Sequence, residues 1–216
     1  MKHKRILLIV SVEAEREAVK RAIGEQSFID VEVMGVGPTL AAAATTKLLM
    51  QHDYDLVLNL GIAGGFKGRA PVGSIVVSSQ IVAADLGAES PDGFLPVEQL
   101  NIGVSMIEAE QTVSRKLLGA FTKKGVPSSH GQILTLSTVT GTNETTEQLM
   151  ERFPEAKAEA MEGFGVATAA KLFEVPVIEV RTISNEVGPR NREAWKLKEA
   201  LNLLEVVSET LLEVVQ

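Results

Sequence analysis

Leu56-Val57-Leu58-Asn59-Leu60 is a short apolar run that stops in a glycine-rich stretch, Gly61-Ile62-Ala63-Gly64-Gly65. A run apolar on both sides reads as a strand covered on both faces. Just before it, Pro38–Gln51 opens on a proline favoured in a first helical turn and repeats Leu40, Ala44 and Leu48. The same alternation extends in both directions. Ile6–Val10, Val31–Met34, Ile75–Ser79, Gln132–Leu136 and Val177–Ile183 read as further strands. Glu13–Ile23, Thr142–Arg152 and Glu159–Phe173 read as helices, and from Arg192 onward Leu197, Leu201, Leu204, Leu211 and Val215 share one helical face. Strands alternating with helices predict an α/β fold, a three-layer sandwich with a mostly parallel central sheet.

Ala83 to Ser105 breaks the rhythm with Asp85, Gly87, Ser90-Pro91-Asp92-Gly93 and Pro96, a turn-rich stretch without a period. A loop of that length in a compact domain is usually functional or mobile. No linker, repeat or low-complexity segment divides the 216 residues, so residues 1–216 read as a single domain. Apolar types at 45% can build a large core, and aromatics at 4% leave that core to Val, Ile, Leu and Ala. No apolar run approaches a bilayer span. The basic start Met1–Arg5 followed by Ile6–Val10 faintly resembles a secretory signal, but the apolar run is short and Glu13, Glu15 and Glu17 follow; it reads better as a first strand. The absence of Cys excludes disulfides, thiolate metal sites and cysteine nucleophiles, and suits a cytoplasmic protein. The net charge of −7 carries no basic stripe, which argues against nucleic acid and for a small-molecule partner. The Met1–Arg5 cluster reads as a solvated terminus. No His/Asp/Glu cluster has metal spacing, so neither metal nor cofactor is expected.

In open α/β sheets ligands collect beyond the carboxyl ends of strands, which directs attention to four places. Ser11-Val12-Glu13-Ala14-Glu15-Arg16-Glu17 follows the first strand; its acids suit the positive end of a helix dipole, or one of them is a general base. Gly61–Gly65 is a tight turn or a backbone surface lying flat on a ligand, without Walker or dinucleotide spacing. In Ser137-Thr138-Val139-Thr140-Gly141-Thr142 the hydroxyls suit a helix cap, while Val139 suits a planar ring. Met161-Glu162-Gly163 sets an acid among small residues, and two glycines in a helix cost ~1 kcal/mol each unless close backbone approach needs them. Asn185, in Ser184-Asn185-Glu186-Val187-Gly188-Pro189-Arg190, is either a turn-former or an amide held by the strand before it. His130 looks like a loop residue, and Trp195 is expected to pack the last helix onto the sheet.

Taken in order, the glutamate-bearing first helix, Gly-x-Ala-Gly-Gly, Met-Glu-Gly and Ile-Ser-Asn resemble the purine nucleoside phosphorylase / nucleosidase superfamily, from Ile6 to about Leu204. The resemblance implies cleavage of an N-ribosidic bond in a nucleoside by a homo-oligomer, a dimer or larger. It places Glu15 at the acid that activates water, with Glu13 as the other register. Ala63, Gly64, Gly65, Val139 and Thr140 fall where the family frames the purine, Met161 against the ribose, and Glu162 on its hydroxyls. Asn185 falls where adenine-releasing members carry Asp. An amide accepts from N7–H while donating to a 6-oxo group, so the departure favours hypoxanthine. The first loop is acidic where phosphorylases hold phosphate, and Ile62 stands where related sites often carry Ser, so water is the expected nucleophile. Arg190 and Arg192 would match a substrate carboxylate, or are surface charges beside Glu186 and Glu193. The rival expectations are an adenosine-type nucleosidase, a phosphorylase, or a nucleoside-binding protein without catalysis.

Overall fold

The computed structural model describes residues 5–215. In chain order its elements are β1 (Ile6–Val10), α1 (Glu13–Ile23), β2 (Ile29–Val33), α2 (Pro38–Gln51), β3 (Leu56–Gly65), β4 (Ile75–Ala83), β5 (Gly87–Ser90), β6 (Gly93–Pro96), β7 (Met106–Glu108), α3 (Gln111–Lys123), β8 (Ser128–Thr135), α4 (Asn143–Arg152), β9 (Ala156–Ala160), α5 (Gly163–Leu172), β10 (Val177–Glu186) and, after a 3-10 turn at Arg192–Ala194, α6 (Leu197–Val215). Eight strands form one sheet, parallel at β1–β2, β1–β3, β3–β10, β4–β8 and β8–β9, and antiparallel at β4–β10, β3–β9 and β4–β7.

Three layers follow from which strand residues face which helices. Ile6, Leu8, Val10, Leu58, Leu60 and Val180 pack with Val19, Leu117, Phe121, Leu204 and Leu211 of α1, α3 and α6. Leu7, Ile9 and Val57, on the alternate face, pack with Ala41, Leu49, Val166 and Ala170 of α2 and α5. Among the described residues no helix is long and apolar enough to cross a membrane.

The sheet is not fully open. β3 and β10 are ten residues long, and the last two residues of β3 turn onto β9, so β3–β10–β4–β8–β9 close into a ring. Small and branched side chains fill its interior: Ala63, Val76, Ile133, Ala158, Ala160 and Ile183. It is a packed core rather than a pore.

The structure corrects several expectations. Glu159 and Ala160, expected to open a helix over Glu159–Phe173, instead end β9, and the helix begins only at Gly163. Ala-Lys-Ala-Glu-Ala favours helix locally, but pairing between β8 and β3 buries it, and tertiary context overrides a weak strand propensity. Helix α3 was not expected from the sequence; Glu110 caps it, accepting from the amides of Thr112 and Val113. The 83–105 stretch is not structureless: β5 and β6 form a hairpin, and Arg152 of α4 stacks on Phe94 at 4.1 Å. His130 lies within β8, not in a loop. Of the basic cluster, Met1–Lys4 lies outside the described residues. Arg5 is no free terminus, since it pairs with Asp30 at 2.8 Å and its amide donates to Asp55.

Candidate active site

A cavity of about 350 Å³ opens beyond the carboxyl ends of β1, β3 and β10. Glu15, Ala63, Gly64, Val139, Thr140, Met161, Glu162, Asn185 and Arg190 all line it. Gly65 does not. It faces the ring interior, where a Cβ would strike the Ala70 carbonyl and the Ile183 side chain, so its lack of a side chain serves packing. Glu13 also stays outside, exposed and paired with Arg16 at 2.6 Å.

Glu15 sits at the third position of α1 and turns back over the end of β1. One oxygen accepts from the amides of Ser11 (2.9 Å) and Val12 (3.2 Å), the other from Ile62 at the end of β3 (2.9 Å). Burial pushes its carboxyl above the usual glutamate range, opposed by the Arg181 charge and these three N–H groups. Gly61 makes this approach possible: a Cβ there would lie 2.5 Å from the Arg181 guanidinium and 2.7 Å from a Glu15 oxygen.

Glu162 stands at the N-cap position of α5 and lines the cavity, with no side-chain bond to the helix amides. It accepts from the Gly37 amide at 3.3 Å and pairs with Arg181 at 3.3 Å. Arg181 is fully buried on β10 and also pairs with Glu179 two residues earlier, at 2.8 Å. Burial alone would lower its pKa, but Glu179, Glu162 and Glu15 together raise it. One guanidinium thus pairs with the cavity carboxylate of Glu162 and with Glu179 behind it, while its charge acts on Glu15 without an ion pair. Gly163 leaves room for this cluster, since a Cβ there would overlap the Glu179 carboxylate.

Asn185 owes its position to a β-bulge. The β10–β3 register runs Ile183 to Ala63 and then Asn185 to Gly64, leaving Ser184 unpaired. Such bulges re-aim side chains near functional sites. The Ser184 hydroxyl donates to the Asn185 amide oxygen at 2.8 Å, and the Asn185 nitrogen donates to the Glu186 carbonyl at 2.9 Å. Gly64 leaves this space open: a Cβ would crowd that nitrogen at 3.3 Å and the Val187 side chain at 3.0 Å.

The cap of α4 is Thr142, whose hydroxyl accepts from the Thr145 amide; Thr140 does something else. Its amide and hydroxyl both donate to Glu159, a buried cavity residue on β9. At the rim, Arg190 stacks over Trp195 at 5.4 Å and Arg192 over the same ring at 5.9 Å. Neither arginine forms an ion pair with Glu186 or Glu193 among the described residues. Trp195 is half-buried on the cavity wall, not a bolt between helix and sheet.

Sequence reading missed Glu159, Glu179 and Arg181. Glu179 and Arg181 carried a signal: two opposite charges two residues apart in an otherwise apolar strand share a face and must be paired if buried. Glu159 carried none once its segment was assigned to a helix.

The family model of the phosphorylase superfamily matches residues 12–216. The futalosine hydrolase of Streptomyces coelicolor is 44% identical over 219 residues, covering 92% of this chain and 91% of that protein. A 5'-methylthioadenosine/S-adenosylhomocysteine nucleosidase of Maridesulfovibrio salexigens is 31% identical over 161 residues, 71% of this chain and 66% of that protein. Among solved structures, a futalosine hydrolase mutant of Helicobacter pylori strain 26695 superposes with a TM-score of 0.84 at 18% identity, covering 97% and 99% of the two chains. At that identity the likeness speaks for the fold.

Proposed function

The chain belongs to the phosphorylase superfamily, and on that premise we propose that it hydrolyses the N-ribosidic bond of futalosine. The products are hypoxanthine and dehypoxanthine futalosine, a step of the futalosine route of menaquinone biosynthesis carried out in the cytoplasm. The 44% identity to a futalosine hydrolase over nearly the whole chain supports the substrate. The observation that carries the reaction type is the seat of Glu15. The three amides of Ser11, Val12 and Ile62, which would cradle an anion, are taken by the protein's own carboxylate. A phosphate dianion would have to displace it against like charge, whereas water needs only a base.

Breaking the bond builds positive charge on the sugar and negative charge on the departing base. Glu162 accepts from the ribose hydroxyls and favours the cationic sugar. Glu15, ionised, orients and deprotonates a water on the face away from the base. Arg181 pairs with Glu162, and its charge favours the ionised form of Glu15. Met161 packs on the ribose, and the purine lies along Ala63, Gly64, Val139 and Thr140. Asn185 stabilises hypoxanthine as it leaves; an amide has no useful proton to give, so N7 takes its proton from solvent or a relay. Arg190 at the rim meets the benzoate carboxylate of futalosine, since guanidinium matches carboxylate in geometry. No cofactor enters this scheme.

Purified protein should release hypoxanthine from futalosine at the same rate with and without phosphate. Asn185→Asp should slow that release. Adenine liberated in preference from methylthioadenosine, or turnover of inosine that requires phosphate, would replace this reading with a rival one.

A further inference from the structure

The Thr140–Glu159 pair is buried at the cavity wall and takes no part in the chemistry at the sugar. Its place in the sheet is informative. Gly64 of β3 stands in register with Asn185 of β10 on one side and with Glu159 of β9 on the other. Residues paired across strands project to the same face, and neighbouring strands lie about 4.8 Å apart. The row therefore reads amide, bare backbone, carboxyl, with the outer two Cα atoms roughly 10 Å apart and no side chain between them. All three residues line the cavity. A planar base laid over Gly64 is bracketed at opposite edges.

We propose that Glu159 is a specificity residue that accepts the N1–H of a 6-oxopurine, at the edge away from Asn185. The proposal rests on the reading of function above and deepens it. A 6-oxopurine carries a proton at N1 and an oxygen at C6; a 6-aminopurine carries a lone pair at N1 and N–H at C6. An ionised carboxylate is an acceptor only, so facing N1 it accepts the proton of the first pattern and meets a lone pair in the second. The two donors of Thr140 fix the carboxyl and favour its charged form, against burial, which pushes its pKa up. Each oxygen has a second lone pair, so acceptor capacity remains for the base. A site with a buried polar group built to hydrogen-bond a substrate rejects the analogue that cannot pair with it far more strongly than an apolar pocket does.

The test is Glu159→Gln, with its fold checked by circular dichroism. The ratio of kcat/KM for futalosine over its 6-amino analogue should fall by about 10²-fold or more, because the glutamine amide donates to N1 of the amino compound. A second measurement uses the unaltered protein. Hypoxanthine should inhibit at least ~10-fold better than 1-methylhypoxanthine, which lacks the N1 proton, and Glu159→Ala should close that gap. Hypoxanthine release by the parent protein with an unchanged ratio in Glu159→Gln, or equal inhibition by the two bases, overturns the role of Glu159 and leaves the function standing. A parent protein that releases no hypoxanthine overturns both.

Discussion

Glu15 and Glu162 show how position decides what a carboxylate does. Five residues on, two on and two back from Glu15, the chain offers Lys20, Glu17 and Glu13, yet only Glu15 turns into the cavity. Exposed Glu13 settles on Arg16. Glu15→Gln and Glu162→Gln should each lower kcat by ~10²–10³ or more, with circular dichroism and melting behaviour close to the parent. The pH profile gives a sharper check. Burial holds the Glu15 proton to a higher pH than in the unfolded chain. The working form is ionised, so kcat/KM falls as pH drops through that raised value, and the acid limb sits above the usual glutamate range. The linked effect on folding has the opposite sense: the stability of the folded chain declines as pH rises from the unfolded value through the raised one, because ionisation of a buried acid opposes folding. A limb at the ordinary carboxylate value would argue that another group activates the water.

At the scale of elements, the site depends on one helix being allowed unusually close to a neighbouring helix and to the sheet. Gly165 of α5 packs on the backbone of α2 at Pro38 and Ala42, and Gly163 packs on the Glu179 carboxylate. Two glycines weaken the helix locally, and the close approach is what they permit. Gly163→Ala should improve intrinsic helix propensity and still destabilise the protein by about 1–3 kcal/mol, since the new methyl overpacks a buried ion-pair cluster. A thermal melt that shifts upward would show that the cluster yields without cost. The bulge at Ser184 is the other local device: it decides that an amide, not a hydroxyl, sits beside Gly64. That decision was not legible in Ile183-Ser184-Asn185, where either residue could have faced the cavity.

For the whole molecule, closure of five strands brings three segments far apart in sequence to one row, around residues 64, 159 and 185. The outer surface of the α2–α5 layer leaves Leu40, Met50 and Leu172 exposed at 53%, 74% and 75%. Together with the resemblance to an oligomeric superfamily, this leads to an expected homo-oligomer. Light scattering coupled to size exclusion should report more than one chain per particle. A monomeric mass at micromolar concentration would remove that expectation without touching the chemistry of the site.

The alternation of apolar runs with helical patterns was enough to determine the layers, because burial on two faces leaves a mark in composition that survives without neighbours. The acids at 15 and 162 were legible for a related reason: polar residues at strand ends and helix starts stand out against small apolar ones. What only the tertiary structure decided is everything set by pairing between distant strands. Residues 156–160 prefer helix by local energetics and become a strand because β8 and β3 supply partners on both sides. Glu159, Arg181 and Gly61 acquire their neighbours at the same moment, since contacts across a sheet depend on register, and register is a property of the assembled strands rather than of any one of them.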